Sequence, residues 1–390
     1  MHAVQPLSAK SINRTSLAVS EHCNCHILCL EAEGSQEPNG VLEELASIPV
    51  MIPAINASSP EDKDYFLMKG LELAKSFGYT TVNEGRLMAF QQADAVSAVE
   101  RGLLDIDVMS YADYTAKNVL PLIGRAYQDR YRVAGMKITF DGSPQGRTAW
   151  RTTPYLLPPD GQEEGYKGYP AIPDKQVIAD LIDEAYQKDW PVHVHANGDA
   201  AIDQMIEAIR RSQEKYGLGD RRISLIHGQF LRKDQIPDLK ELQIFPSLFP
   251  MHTFYWGDWY DQIIGPDLAQ QISPMRSVLD AGLIASSHTD APVALPNLMQ
   301  VMWATVNRTS RSGKVMGPDE RVTPVEGLKA ITIWGAYQHF EDGTKGSLEI
   351  GKLADMVILS DNPLTIDPAK INTIQVMETI KEGVTVFTRP

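Results

Sequence analysis

The sequence predicts an α/β fold of parallel βα units, and three observations carry that prediction. From about residue 60 onward, helical patterns alternate with short β-branched runs, which is how βαβ construction reads in a sequence. Seven such runs can be counted, one fewer than the eight that close a barrel. Beyond residue 340 the rhythm changes to alternating strands with no helix between them. The expected architecture is therefore a (β/α)8 TIM-type barrel lacking one strand, over residues 51–340, followed at 341–390 by part of a small β-sandwich domain.

Residues 1–50 show no clear periodic element, and 34–40 reads as a loop, so this stretch is expected to be an irregular lead-in. Residues 61–77 form an amphipathic pattern that stops at Gly78, a C-terminal cap, and the strand 79–84 follows at once. Further strands are expected at 105–110, 135–141, 191–196, 222–227, 242–247 and 283–289. A helix over 175–188 places Val177, Leu181, Ile182 and Ala185 on one face, and Ile202, Met205, Ile206 and Ile209 repeat the spacing in the next one. Thr323-Pro-Val-Glu326 is a capping box with Pro at the first helical position, opening a helix to about residue 339. Strands then follow at 354–360, 373–381 and 384–388, the last two joined by Glu382-Gly383.

The chain has 390 residues, 43% of them hydrophobic, enough to bury a large core. Its 36 Lys and Arg against 50 Asp and Glu give a net charge of −14, which argues against nucleic acid and against an anionic membrane surface, since both demand clustered positive charge. No apolar run approaches the roughly 18 residues of a membrane span, and the polar start lacks the apolar core of a signal peptide, so a cytoplasmic location is expected. Cys23, Cys25 and Cys29 are odd in number and crowded; with His22 and His26 they match no zinc-site spacing, and reduced thiols are the expectation.

Chemistry gathers at the strand ends. In Pro191-Val-His-Val-His-Ala-Asn-Gly-Asp199 the period of two sends His193, His195 and Asn197 to one face and Val192, Val194 and Ala196 to the other. Gly198 permits a sharp turn, and Asn197 or Asp199 can cap the next helix. His195, nearest the carboxyl end, is the expected metal ligand; His193 is more simply a hydrogen-bonded neighbour. Ile223-Ser-Leu-Ile-His-Gly228 ends a second strand in an imidazole, His227. Ser286-Ser-His-Thr-Asp-Ala-Pro292 puts Ser286, His288 and Asp290 on one face, with Asp290 where a catalytic base belongs. In the strand 135–141, Lys137, Thr139 and Asp141 share a face, so a lysine amine enters the barrel. Such a lysine either pairs with a carboxylate such as Asp141 or Glu84, or has its pKa depressed until the neutral amine can react.

Taken together, Lys137-Ile-Thr-Phe-Asp-Gly-Ser143, His195-Ala-Asn-Gly-Asp199, Ile226-His-Gly-Gln229, His288-Thr-Asp-Ala-Pro-Val293 and the tail from Gly346 to Ser360 make the chain resemble the amidohydrolase superfamily. The likeness is to its amidohydrolase-3 branch, which includes N-substituted formamide deformylases, and it runs from about residue 34 to the end. It implies a divalent metal, zinc by ligand type, as one or two ions. It further implies that a carbamylated Lys137 bridges the metals, with His195 and His227 on one ion and Asp290 on the other. Hydrolysis of a non-peptide C–N bond in a small amide-like molecule follows, with Asp290 as the base and His252 polarising the carbonyl. Trp256, Trp259 and His288 are expected to contact that substrate.

The resemblance also implies a His-x-His pair at the end of the first barrel strand, whereas the one His-x-His here is His193-Val-His195. The first strand is expected to be the missing one, the chain being N-terminally truncated. The competing reading is a noncatalytic remnant or binder lacking that half of the metal site. Homo-oligomerisation stays open.

Overall fold

In a computed structural model of the chain, residues 29–31, 38–42, 53 and 57–390 are described; His22, Cys23, Cys25 and His26 lie outside them. Contacts divide the chain into two units, 1–58 and 59–390. The first holds an antiparallel pair, β1 (Cys29–Glu31) and β2 (Pro38–Leu42). This corrects the expectation of no element before residue 50. Three- and five-residue strands are too short for periodicity to reveal.

The second unit is built on seven parallel strands in sequential order: β3 (Thr81–Leu87), β4 (Asp107–Asp113), β5 (Tyr131–Thr139), β6 (Val192–Ala196), β7 (Ser224–His227), β8 (Phe245–Leu248) and β9 (Ser286–Ser287). The sheet curls as a TIM-type barrel does. The Asp290 charge, just past β9, acts on Lys137 in β5, and the Tyr79 phenol before β3 meets Thr289 after β9. An antiparallel sheet, β10 (Met356–Leu359), β11 (Val376–Lys381) and β12 (Val384–Thr388), completes the unit. Glu382 and Gly383 both take positive φ in the two-residue turn, the backbone that suits a tight hairpin.

The strand faces divide as the period of two requires. Met136, Ile138, Val192, Val194, Ala196 and Leu225 turn outward and are buried under helices in one core cluster, each large aliphatic contributing about 1.5–3 kcal/mol of burial. Helix Lys175–Gln187 starts at Asp174, whose carboxylate accepts the Gln176 N–H at 2.8 Å. Its inner stripe runs through Ile178, Leu181, Ile182 and Ala185, while Val177 is 42% exposed and drops out of the expected face. Helix Asp199–Tyr216 buries Ile202, Met205, Ile206 and Ile209 as the spacing predicts.

Two helix boundaries differ from expectation. The Thr323/Glu326 capping box is present, but the helix it opens ends at Ala330 and a second runs over Ile333–Gln338. Thr332, at φ −130° and ψ −100°, breaks the run. At the head of Asp199–Tyr216 neither Asn197 nor Asp199 caps; Gly198 holds that position. A Cβ there would lie 1.8 Å from the Trp150 carbonyl oxygen, so close approach of another backbone explains the glycine.

Buried charge ties the C-terminal sheet to the barrel. The Asp107 carboxylate accepts from Lys345 Nζ at 2.6 Å, Lys381 Nζ at 2.7 Å and Arg130 at 3.1 Å. Glu341 pairs with Lys345 and Arg132, and Asp355 with Lys381. These residues come from β4, the turn before β5, β5 itself, the loop past residue 340, and β11.

Candidate metal centre

The carboxyl ends of β5 to β9 deliver polar side chains to one place. His227 closes β7 at φ +78° and Asp290 lies past β9 at φ +52°. Both residue types enter that region more readily than most side chains, yet each such position still costs about 1–3 kcal/mol, and such strain gathers at functional sites. Ligand atoms of His227, His288 and Asp290 lie within 4.8 Å of one another. The His195 ring meets His227 edge-on, with centroids 4.5 Å apart.

Asp141 fastens this cluster. Its carboxylate accepts three backbone N–H groups, from Trp150 at 2.9 Å, Asn197 at 2.9 Å and Gly198 at 2.7 Å. The end of β5 is thereby stapled to the end of β6. His195 Nε2 stands 3.1 Å from the Gly142 carbonyl, which also accepts from Asn197 Nδ2 at 3.0 Å. With its Nε2–H donated there, His195 carries its lone pair on Nδ1.

Lys137 is 6% exposed. Asp141 accepts backbone N–H groups and stands 3.6 Å from His195 Nε2, while Glu84 accepts the Arg86 N–H and its charge still acts on Lys137. Burial pulls its amine down to about 8, against the opposing attraction of Asp290. Burial likewise holds His195 and His288 at about 3 and His227 well below the ordinary imidazole value. The Asp290 carboxyl is raised by burial, with Lys137 opposing. Neutral imidazoles, a carboxyl group and an amine, gathered out of water, form a donor set that fits a divalent ion with nitrogen and oxygen ligands, zinc among them.

Other expected residues fall in different places. His193 is not a hydrogen-bonded neighbour. It stacks on Tyr111 with centroids 3.6 Å apart, and neither ring nitrogen has a partner among the described residues. A side chain at Gly135 would collide with it at 2.6 Å. His252 is buried, donating to or accepting from Tyr260 Oη at 2.7 Å, and its ring packs edge-on to Phe249. Burial, helped by His288 and His195, lowers its pKa to about 3, and those two neighbours place it beside the cluster. Trp256 packs 4.9 Å from His252, whereas Trp259 is 49% exposed and makes no ring contact among the described residues.

Two residues not singled out in the sequence stand at the same end. Arg86 and the buried Asp113 pair at 2.7 Å at the ends of β3 and β4, and the Arg86 charge acts on Lys137 and His195. The sole signal was an acid closing an apolar strand, Asp107-Val-Met-Ser-Tyr-Ala-Asp113.

Among solved structures, a metal-dependent hydrolase from Pyrococcus furiosus superposes with a TM-score of 0.71 at 24% identity, covering 83% of this chain and 65% of that one. Atrazine chlorohydrolase TrzN of Arthrobacter aurescens, solved as a mutant with zinc and atraton, gives 0.57 at 15% identity over 88% of this chain and 76% of that one. Both likenesses are of fold. In sequence, the N-substituted formamide deformylase of Arthrobacter pascens is 29% identical over 219 residues, 55% of this chain and 40% of its own length. The chain spans about half the length of the curated relatives it matches. Residues 21–387 match the model of the amidohydrolase-3 branch, and a match over nearly the whole chain makes it a member of the amidohydrolase family.

Proposed function

We propose that the chain is a metal-dependent hydrolase that cleaves a non-peptide C–N bond of a small amide-like molecule. The observation that carries this reading is the convergence of Lys137, His195, His227 and Asp290 at one end of a curled parallel sheet, where barrels of this architecture do their chemistry. His195, His227, Asp290 and Lys137 would hold the ion or ions. When bound, a divalent ion would lower the pKa of its water to about 7 and polarise the substrate carbonyl.

The chain's own groups supply the rest. Lys137, buried without an ion pair among the described residues, adds its neutral amine to carbon dioxide. The N–C bond forms, a proton leaves, and the resulting carbamate offers oxygen ligands. Asp290 accepts the proton of the attacking water and returns it to the departing amine nitrogen. His252, held by Tyr260, faces the carbonyl oxygen, and Trp256 walls the substrate space. Zinc is the reading's metal because imidazole and oxygen donors suit it.

The relative that acts on N-substituted formamides makes N-formyl and N-acyl amines the first substrates to try. Purified chain is supplied with zinc and assayed for amine release. Hydrolysis that disappears with chelation and returns with zinc supports the reading. A folded protein that takes up no divalent metal contradicts it and favours a noncatalytic binder.

A further inference from the structure

An unbroken line of hydrogen bonds leaves His227 and crosses the barrel interior. His227 Nδ1 stands 3.0 Å from His288 Nε2, and His288 Nδ1 stands 3.1 Å from Ser247 Oγ. Ser247 Oγ is 2.8 Å from Ser286 Oγ, which is 2.7 Å from Gln338 Oε1. Gln338 Nε2 reaches Tyr111 Oη at 3.3 Å, and that oxygen is 3.0 Å from His339 Nδ1. Ser247, Ser286, Gln338 and Tyr111 are buried, so each must find its partner within the protein.

Counting protons gives the line a direction. A carbonyl oxygen only accepts, and a hydroxyl has one proton to donate. The Ser286 proton therefore goes to Gln338 Oε1, and Ser286 has none left for Ser247. The Ser286–Ser247 geometry by itself favours Ser286 as donor, but with that one proton committed to Gln338 Oε1 Ser247 becomes the donor, and its oxygen accepts from His288 Nδ1–H. A neutral imidazole carries one N–H, which leaves His288 Nε2 as a lone pair facing His227 Nδ1. The His227 proton sits on Nδ1, and its lone pair is on Nε2.

We propose that Gln338, acting through Ser286, Ser247 and His288, is a positioning residue that locks His227 in its Nδ1–H tautomer and presents Nε2 to a divalent metal. Turning the Gln338 amide over reverses every donor in the line and puts a proton on His227 Nε2, the atom that has to be bare. Tyr111 opposes that turn by accepting from Gln338 Nε2 when its own proton goes to a bare His339 Nδ1. His288 becomes a positioning residue too, since its Nε2 lone pair is engaged by His227. The inference rests on reading His227 as a metal ligand, a role that partners of this kind generally orient.

The test uses the metal-free 390-residue chain labelled with nitrogen-15 in histidine. Long-range proton–nitrogen spectra separate N–H from bare ring nitrogens, and His227→Gln and His288→Gln assign the signals. Both rings are expected to carry the proton on Nδ1. Ser286→Ala and Gln338→Met, read in parallel in case one fails to fold, release the lock into a tautomer mixture. Both weaken zinc binding by about 10- to 100-fold, and the His195 signals stay unchanged. Gln338→Glu keeps an acceptor toward Ser286 and keeps the Nδ1–H form. A His227 proton on Nε2 in the wild-type chain, or tautomers indifferent to both disruptive variants, overturns the proposal. The expected tautomer in a chain that binds no zinc contradicts the metal reading, not the lock.

Discussion

Replacing Asp107 with Asn should loosen the C-terminal sheet from the barrel at a cost that the structure lets one work out. The carboxylate is 5% exposed and neutralises three cations at 2.6, 2.7 and 3.1 Å. Its removal leaves Lys345 with Glu341 and Lys381 with Asp355 and Glu382, so two buried ammonium groups lose one anion each but keep another. Breaking a buried ion pair from one side costs about 3–5 kcal/mol, and the surviving partners place Asp107→Asn at the lower end, about 3 kcal/mol.

The pH dependence has a definite sign. The Lys345 and Lys381 ammonium groups hold the Asp107 carboxyl below its ordinary value against the opposing effect of burial. Its stabilisation is fully present above the unfolded value of about 3.9 and is lost as pH falls toward the lower folded value. Urea unfolding of wild type and Asp107→Asn should therefore differ by a constant amount at neutral pH and converge in acid. Limited proteolysis should release the segment after residue 340 sooner in the variant. A loss below about 1 kcal/mol at pH 7, the ordinary worth of an exposed pair, would refute the reasoning.

Other outcomes are equally definite. Gly198→Ala places a Cβ against the Trp150 carbonyl at 1.8 Å, where backbone must give way; a loss of about 1–3 kcal/mol in stability is expected, and an unchanged melting curve contradicts it. Lys137→Ala should lower the metal content of the folded chain, with partial recovery on adding short carboxylic acids, and metal analysis reads both. His252→Phe should keep metal and fold while lowering kcat by about 100-fold with little change in KM; an unchanged kcat in the metal-loaded variant would remove His252 from catalysis.

Much of this was readable in the sequence because barrel strands repeat a simple rule. Outward positions such as Val192, Val194 and Leu225 must be apolar, and inward ones are free to carry chemistry, so Lys137, His195 and Asp290 stood out, while His227 stood out as the imidazole that ends an apolar strand. The roles of Asp141 and His193 did not, since both depend on partners distant in sequence: three backbone amides in one case and the Tyr111 ring in the other. Likewise Ser247, Ser286 and Gln338 look like ordinary polar residues until topology aligns them. The break at Thr332 and the short pair β1–β2 lie below the length at which periodicity speaks. Trp259 was singled out for its aromatic loop, yet loop direction is set by packing that composition does not encode.

The most direct test is anomalous diffraction from crystals of the chain grown with zinc, recorded across the zinc edge. A peak within bonding distance of His227 Nε2 and Asp290, with His195 and Lys137 around it, is the expected result. Zinc bound elsewhere, with these four residues left bare, would contradict the proposal that they form a hydrolytic metal centre.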